Sequence, residues 1–252
     1  MSDSIQYASY IQSAIMPLSG NLSKIFPESF ILFQPKNVVS GDFYWFLKRR
    51  NTIIITAADC TGHGVPGAFM SILGMTFIND IINRDCTFTA NGILNQLRER
   101  VMKALHQTGE GGEQKDGMDI ALCIIDKELH ELQFAGAFNP LYLFRKDKFI
   151  EIKGDRMPIG VHATEEISFT NHVIKLQNND IIYLFTDGYS DQFGGPKEKK
   201  FKYIHFKKLL HDIKDMPMEK QKQTLFDTFT EWKEYRDQVD DILIMGFKYL
   251  HK

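Results

Sequence analysis

Residues 120–152 read IALCIIDKELHELQFAGAFNPLYLFRKDKFIEI. Four segments rich in apolar, β-branched and aromatic residues follow one another here: Ile120–Asp126, Leu132–Ala135, Leu141–Arg145 and Phe149–Ile152. Parallel neighbours need a crossover of a dozen residues or more, and the connections here are far too short for that. The sheet is therefore expected to be largely antiparallel. Ile167–Leu176 and Ile181–Phe185 extend the run, Ser29–Phe33, Asp42–Lys48 and Thr52–Ala58 precede it, and Ile242–Phe247 follows near the end. Helical periodicity appears in Ser4–Met16 (Ile5, Ala8, Ile11, Ile15), from Pro66 onward (Ala68, Phe69, Ile72, Leu73, Phe77, Ile81), and through Ile93, Leu94, Leu97, Val101 and Leu105. Two further helices are expected at Tyr203–Ile213 and Met218–Tyr235. Strand runs separated by paired helices predict an α+β fold, with two packed antiparallel sheets flanked by helices in a four-layer α-β-β-α sandwich.

The 252 residues are 43% hydrophobic and 25% charged, the composition of a globular domain with a full core. A formal net charge of -2 spread over interspersed acids and bases gives no field that would gather nucleic acid or an anionic membrane. The longest apolar runs are strand-sized, and no secretory leader opens the chain. Cys60, Cys86 and Cys123 are odd in number and widely spaced, which fits a reducing compartment and a cytoplasmic setting. Gly109–Gly117 (GEGGEQKDG) is expected to be a mobile surface loop.

Four acidic positions share one context. Asp42 lies in VSGDFYW, Asp59 in AADCTGHG, Asp187 in LFTDG, and Asp240 with Asp241 in QVDDIL, each at one end of an apolar strand. A single Asp-Gly after a strand is ordinarily a turn. Four half-desolvated carboxylates that converged would repel one another and require a cation. Lys and Arg are scarce in these segments, and an all-oxygen ligand set suits magnesium or manganese rather than zinc.

The ordered set Ser40-Gly-Asp-Phe-Tyr44, Asp59-Cys-Thr-Gly-His-Gly-Val-Pro-Gly-Ala68, Met157-Pro-Ile-Gly160, Thr186-Asp-Gly188 with Asp191, and Asp240-Asp-Ile242 resembles the metal-dependent protein phosphatases of type 2C. The closer likeness is to the bacterial branch typified by sporulation stage II protein E and the phosphatases that regulate sigma factors. The resemblance runs from about Phe30 to Lys248. It implies residues 28–252 as the catalytic domain, with 1–27 as a regulatory or linker helix region. It further implies two divalent cations, manganese or magnesium, held by Asp59, the Cys60 carbonyl, Asp187 and Asp240, with Asp42 reaching the second ion through waters. Asp42, Asp59 and His63, the last as general acid, would then carry catalysis. The implied substrate is a phosphoserine or phosphothreonine protein, of the anti-anti-sigma type in this branch. A sensor upstream and a homodimer through the N-terminal helix are also implied, and the chain would be the cytoplasmic part of any membrane-anchored sensor.

This sequence departs from the wider family in several places. Lys36 is the nearest cation to the position of the phosphate-gripping arginine, Gly136-Ala-Phe-Asn139 carries no acid for a third metal, and His63 lies two residues further along than the family's histidine. His63 can equally be a turn-held residue at a helix start, and Asp119 either faces the site or opens a strand. A cysteine phosphatase is excluded, since the sixth residue after Cys60, Cys86 and Cys123 is Pro66, Gly92 and Leu129 rather than arginine. The rival readings are a two-metal phosphodiesterase or nuclease, and a degenerate phosphatase-like binding module.

Overall fold

The computed structural model describes residues 3–84, 88–108, 115–162 and 167–251. Cys86 and most of the Gly109–Gly117 stretch lie outside the described residues. The chain opens with α1 (Asp3–Ile15), a 3-10 turn at Ser19–Asn21 and the short α2 (Leu22–Ile25). Next come β1 (Ser29–Gln34), β2 (Phe43–Arg49), β3 (Thr52–Cys60), α3 (Val65–Arg84) and α4 (Ala90–Ala104). The middle of the chain forms β4 (Met118–Asp126), β5 (Glu131–Ala137), β6 (Leu141–Arg145), β7 (Lys148–Ile152), β8 (His172–Lys175) and β9 (Ile181–Phe185). The remainder is α5 (Gly188–Asp191), the small hairpin β10 (Phe193–Gly194) and β11 (Lys199–Lys200), α6 (Lys202–Ile213), α7 (Met218–Lys233) and β12 (Ile242–Lys248).

Two five-stranded sheets result, ordered β1-β12-β9-β6-β7 and β2-β3-β4-β5-β8, with every strand pair antiparallel. Apart from its edge strand β7, the first sheet is buried on both faces, so its strands read as continuous apolar runs rather than alternating ones. Ile31, Leu143, Ile182, Leu184, Leu243 and Met245 point to the second sheet. Their neighbours Phe30, Tyr142, Phe144, Tyr183, Phe185 and Ile244 point outward, onto α6 and α7. Helices α3 and α4 cover the outer face of the second sheet. The expected four layers are all present. Each fully buried Leu, Ile or Phe side chain in them contributes roughly 1.5–3 kcal/mol. Among the described residues α3 is the one helix long and apolar enough to match a membrane span; here it is a core helix that packs on α1, α4, β2 and β3.

The predicted strand Ile167–Leu176 is shorter than expected, forming only at His172–Lys175. Upstream of it the backbone bonds to side chains instead of a ladder: Phe169 N–H donates to Asn95 Oδ1 (3.1 Å) and Thr170 N–H to Asp155 Oδ2 (2.7 Å). Asp42 stands just before β2 rather than inside it.

Candidate metal centre

Strand geometry gathers the acids at one end of the sandwich. Asp59, next to last in β3, lies directly opposite Asp119 of β4 in the antiparallel register. Asp187 follows β9, and Asp240 precedes β12, the two neighbours at the centre of the other sheet. Asp42 enters from the loop before β2 and is 1% exposed. All four predicted positions therefore come together, and Asp119 joins them. Asp59, Asp119 and Asp240 line an open cleft of about 210 Å³, with Cys60, His63, Lys115 and Pro158 also in its walls. The Met157–Gly160 motif supplies one wall by pairing Ile159 with Met118 at the start of β4.

Negative charge is in excess here. Among the described residues none of the five acids makes an ion pair. Burial pushes the Asp42 and Asp59 carboxyls well above the usual carboxylate range, and neighbouring aspartates push them further. Burial together with Asp187 raises Asp119 to about 7. Asp187 is raised by burial, then by Asp191 and Asp240, while a hydrogen bond shared with Asp59 opposes the rise. Asp240 is raised mainly by burial, and the Asp241 N–H and the charges of Lys36 and His63 oppose it. Asp187 Oδ1 is buried with no hydrogen-bond partner. An orphaned carboxylate oxygen amid mutually repelling hard donors fits a divalent cation. Among the described residues no three acidic, histidine or cysteine side chains stand close enough together to enclose an ion by themselves.

Several side chains fix this arrangement without joining it. The Thr186 hydroxyl donates to Asp42 Oδ2 (2.6 Å) and accepts from Leu243 N–H (3.1 Å), tying Asp42 to β12. Asp241, 2% exposed, accepts the N–H groups of Lys36 and Gly41, both at 2.7 Å. The period of two along a strand thus divides the adjacent pair: Asp240 lines the cleft and Asp241 clamps the loop that carries Asp42. Gly41 and Gly67 press on the Gly62 carbonyl so closely that a Cβ at either would lie 2.6 or 2.2 Å from its oxygen, and Gly62 itself has φ +84°. Only glycines permit this approach.

His63 sits exposed at the cleft rim, its Nδ1 donating to Asn37 Oδ1 (3.1 Å). Cys60 is buried and its thiol pushed well up by burial, so it is no nucleophile; its backbone carbonyl faces the Gly41 loop. Asp191 pairs with Lys200 (2.6 Å) in the β10–β11 hairpin. Asn139, standing where a third-metal acid was sought, donates to the Asp119 carbonyl (3.1 Å). Sequence reasoning assigned no role to Thr186, Asp241 or Lys115, although the first two stand beside motif aspartates.

Known proteins share these features. The family model of stage II sporulation protein E (SpoIIE) matches residues 49–249. The phosphoserine phosphatase RsbU of Bacillus subtilis is 26% identical over 162 residues, which is 62% of this chain and 44% of that longer protein. The SiaA-PP2C domain of Pseudomonas aeruginosa superposes with a TM-score of 0.89 at 33% identity, covering 98% of this chain and 96% of that one. The PP2C phosphatase domain of SpoIIE from Bacillus subtilis, with a fragment of its regulatory domain, shares the fold (TM-score 0.72, 16% identity, 89% of this chain and 63% of that one). RsbX, which shares the fold at 12% identity with a TM-score of 0.60, has been crystallised in complex with magnesium. With the family model matching most of the chain and the sandwich shared with the SiaA-PP2C domain, the chain belongs to the stage II sporulation protein E family and is a PP2C-like phosphatase domain.

Proposed function

We propose that the domain is a metal-dependent protein serine/threonine phosphatase that hydrolyses a phosphoserine or phosphothreonine monoester. The observation that carries this reading is the gathering of five aspartates at one end of the sandwich, Asp59, Asp119 and Asp240 lining the open cleft with Asp42 and Asp187 beside them, none of them in an ion pair among the described residues. Two divalent cations, magnesium or manganese, would supply a water acidified for attack and a clamp for the phosphoryl oxygens. Asp59, Asp187, Asp240 and the Cys60 carbonyl would hold them, with Asp42 acting through waters. Lys115 in the cleft wall and Lys36, whose charge reaches Asp240, would attract the incoming phosphate, and His63 at the rim would give the leaving alkoxide its proton.

The proposed substrate is a small phosphorylated regulatory domain of the anti-anti-sigma type, in the cytoplasm, with no nucleic acid involved. Residues 1–27 are proposed as a regulatory segment that dimerises and receives a signal from an upstream sensor. Support comes from α1, whose Tyr7, Tyr10, Ile11 and Ile15, with Leu18 just beyond, are left uncovered by the domain.

The test is turnover of a phosphoserine peptide with manganese against EDTA, beside bis-para-nitrophenyl phosphate as a diester. Metal-dependent monoester hydrolysis is expected, with Asp59→Asn and Asp187→Asn each below a tenth of wild type at saturating manganese. Preference for the diester would transfer the site to a phosphodiesterase, and inactivity with every metal would make it a binding module.

A further inference from the structure

At the other end of the sandwich, about 20 Å away along β12 at some 3.4 Å per residue, lies a cavity of about 350 Å³ at the seam of the two sheets. Lys48 is next to last in β2, Lys248 ends β12, Lys127 and His130 belong to the β4–β5 turn, Lys24 comes from α2 and His251 follows β12; all six line it. No acidic side chain is among the lining residues. In a chain of net charge -2 this is a concentrated patch of positive potential.

Lys127 already has a partner in the Phe26 ring, whose centroid lies 5.9 Å from its Nζ. Among the described residues neither Lys48 nor Lys248 makes an ion pair, and Lys24 Nζ donates only to the neutral Asn21 Oδ1 (2.8 Å). Asp126, whose charge reaches Tyr249, turns Oδ1 to the N–H groups of Glu128 and Leu129 in its own turn. The frame is fixed. His130 Nδ1 meets the Tyr249 hydroxyl at 2.6 Å, the His130 and His251 rings stack at 3.9 Å, and the backbone of Lys248 and Tyr249 is bonded to Glu28 and Asp180. Phe26 and the stacked imidazoles add flat apolar surface.

A concave site with several like charges focuses its field, and lysine ammonium groups are compact partners for phosphate oxygen. We propose that this cavity binds a small anion carrying two or more phosphate groups, free or borne by a nucleoside. It touches α2, which joins α1 to β1, so a ligand there would bear on the regulatory end of the chain.

Calorimetric titration of the full chain in EDTA isolates this site, because the metal-free carboxylate cluster repels anions. Pyrophosphate is expected to bind saturably, and Lys48→Glu with Lys248→Glu should weaken it at least tenfold. An equal charge reversal at Lys199, on the remote hairpin, and Lys202, at the start of α6, should leave it within twofold. Adenosine diphosphate binding at least threefold tighter than pyrophosphate would identify a nucleotide, and equal affinity would identify phosphate groups alone. Should the reversed pair unfold, Lys48→Ala with Lys248→Ala replaces it. Absence of saturable binding by either probe, or equal weakening by both pairs of reversals, overturns the proposal.

Discussion

Asp59 and Asp119 oppose each other across a β-ladder, a place where like charges destabilise and where selection for stability alone would not leave two acids. His63 answers to a different measurement. If it protonates the leaving alkoxide, His63→Ala should cost about 100-fold on a phosphoserine peptide and far less on para-nitrophenyl phosphate, whose leaving group needs little help. Equal losses on both would return His63 to a turn residue held by Asn37. The aspartates were legible in the sequence because each ends an apolar run. Thr186 and Gln12 were not, since a lone hydroxyl or amide carries no periodicity and declares its partner only in three dimensions. Asp241 was hidden by its neighbour: nothing in the pair DD says which carboxylate turns to the cleft.

Helix α1 shows how an element can be foreseen while its facing is not. The stripe of Ile5, Ala8, Ile11 and Ile15 predicts an apolar dock, yet Ile11 and Ile15 remain 44% and 40% exposed. The residue that reaches inward is Gln12, 5% exposed, donating to the Ser40 carbonyl (2.6 Å) and the Ser71 hydroxyl (2.8 Å) and accepting from Ser40 N–H (3.1 Å). It thus joins α1 to α3 and to the loop that carries Asp42. Gln12→Ala should loosen that loop and lower manganese affinity, with activity falling about 5- to 150-fold for a coupling of roughly 1–3 kcal/mol. Ile11→Asp should instead break self-association and leave the metal titration of the monomer unchanged. Sedimentation and manganese titration on both variants separate the two faces; a monomeric wild type, or unaltered metal affinity in Gln12→Ala, would reduce the helix to packing. The β-strands were legible more fully than this helix, because burial on both faces writes itself as unbroken apolar runs.

For the molecule as a whole, acids whose carboxyls are raised on folding tie stability to pH. Their neutral forms are favoured in the folded state, so their contribution is intact below the unfolded value near 3.8 and is lost as pH climbs through the folded one. For Asp119 that window runs from about 4 to about 7, at about 1.4 kcal/mol per pH unit while it titrates. In EDTA the melting temperature should therefore fall between pH 5 and pH 8, and saturating manganese should flatten that fall. Asp59→Asn in EDTA should melt higher than wild type at pH 8. A metal-free melting curve indifferent to pH across this range would contradict the crowding of charge in the cleft.

The pairing of β1 with β12, and of β12 with β9, has a consequence for synthesis on the ribosome. The strand between β1 and β9 is the last of the domain's described strands in chain order, and Asp240 arrives with it. Until residue 248 has cleared the exit tunnel, β1 and β9 lack the partner between them and the cleft lacks an acid. The nascent domain is thus catalytically silent until its final strand emerges, and until then its early strands stand as open edges exposed to mispairing.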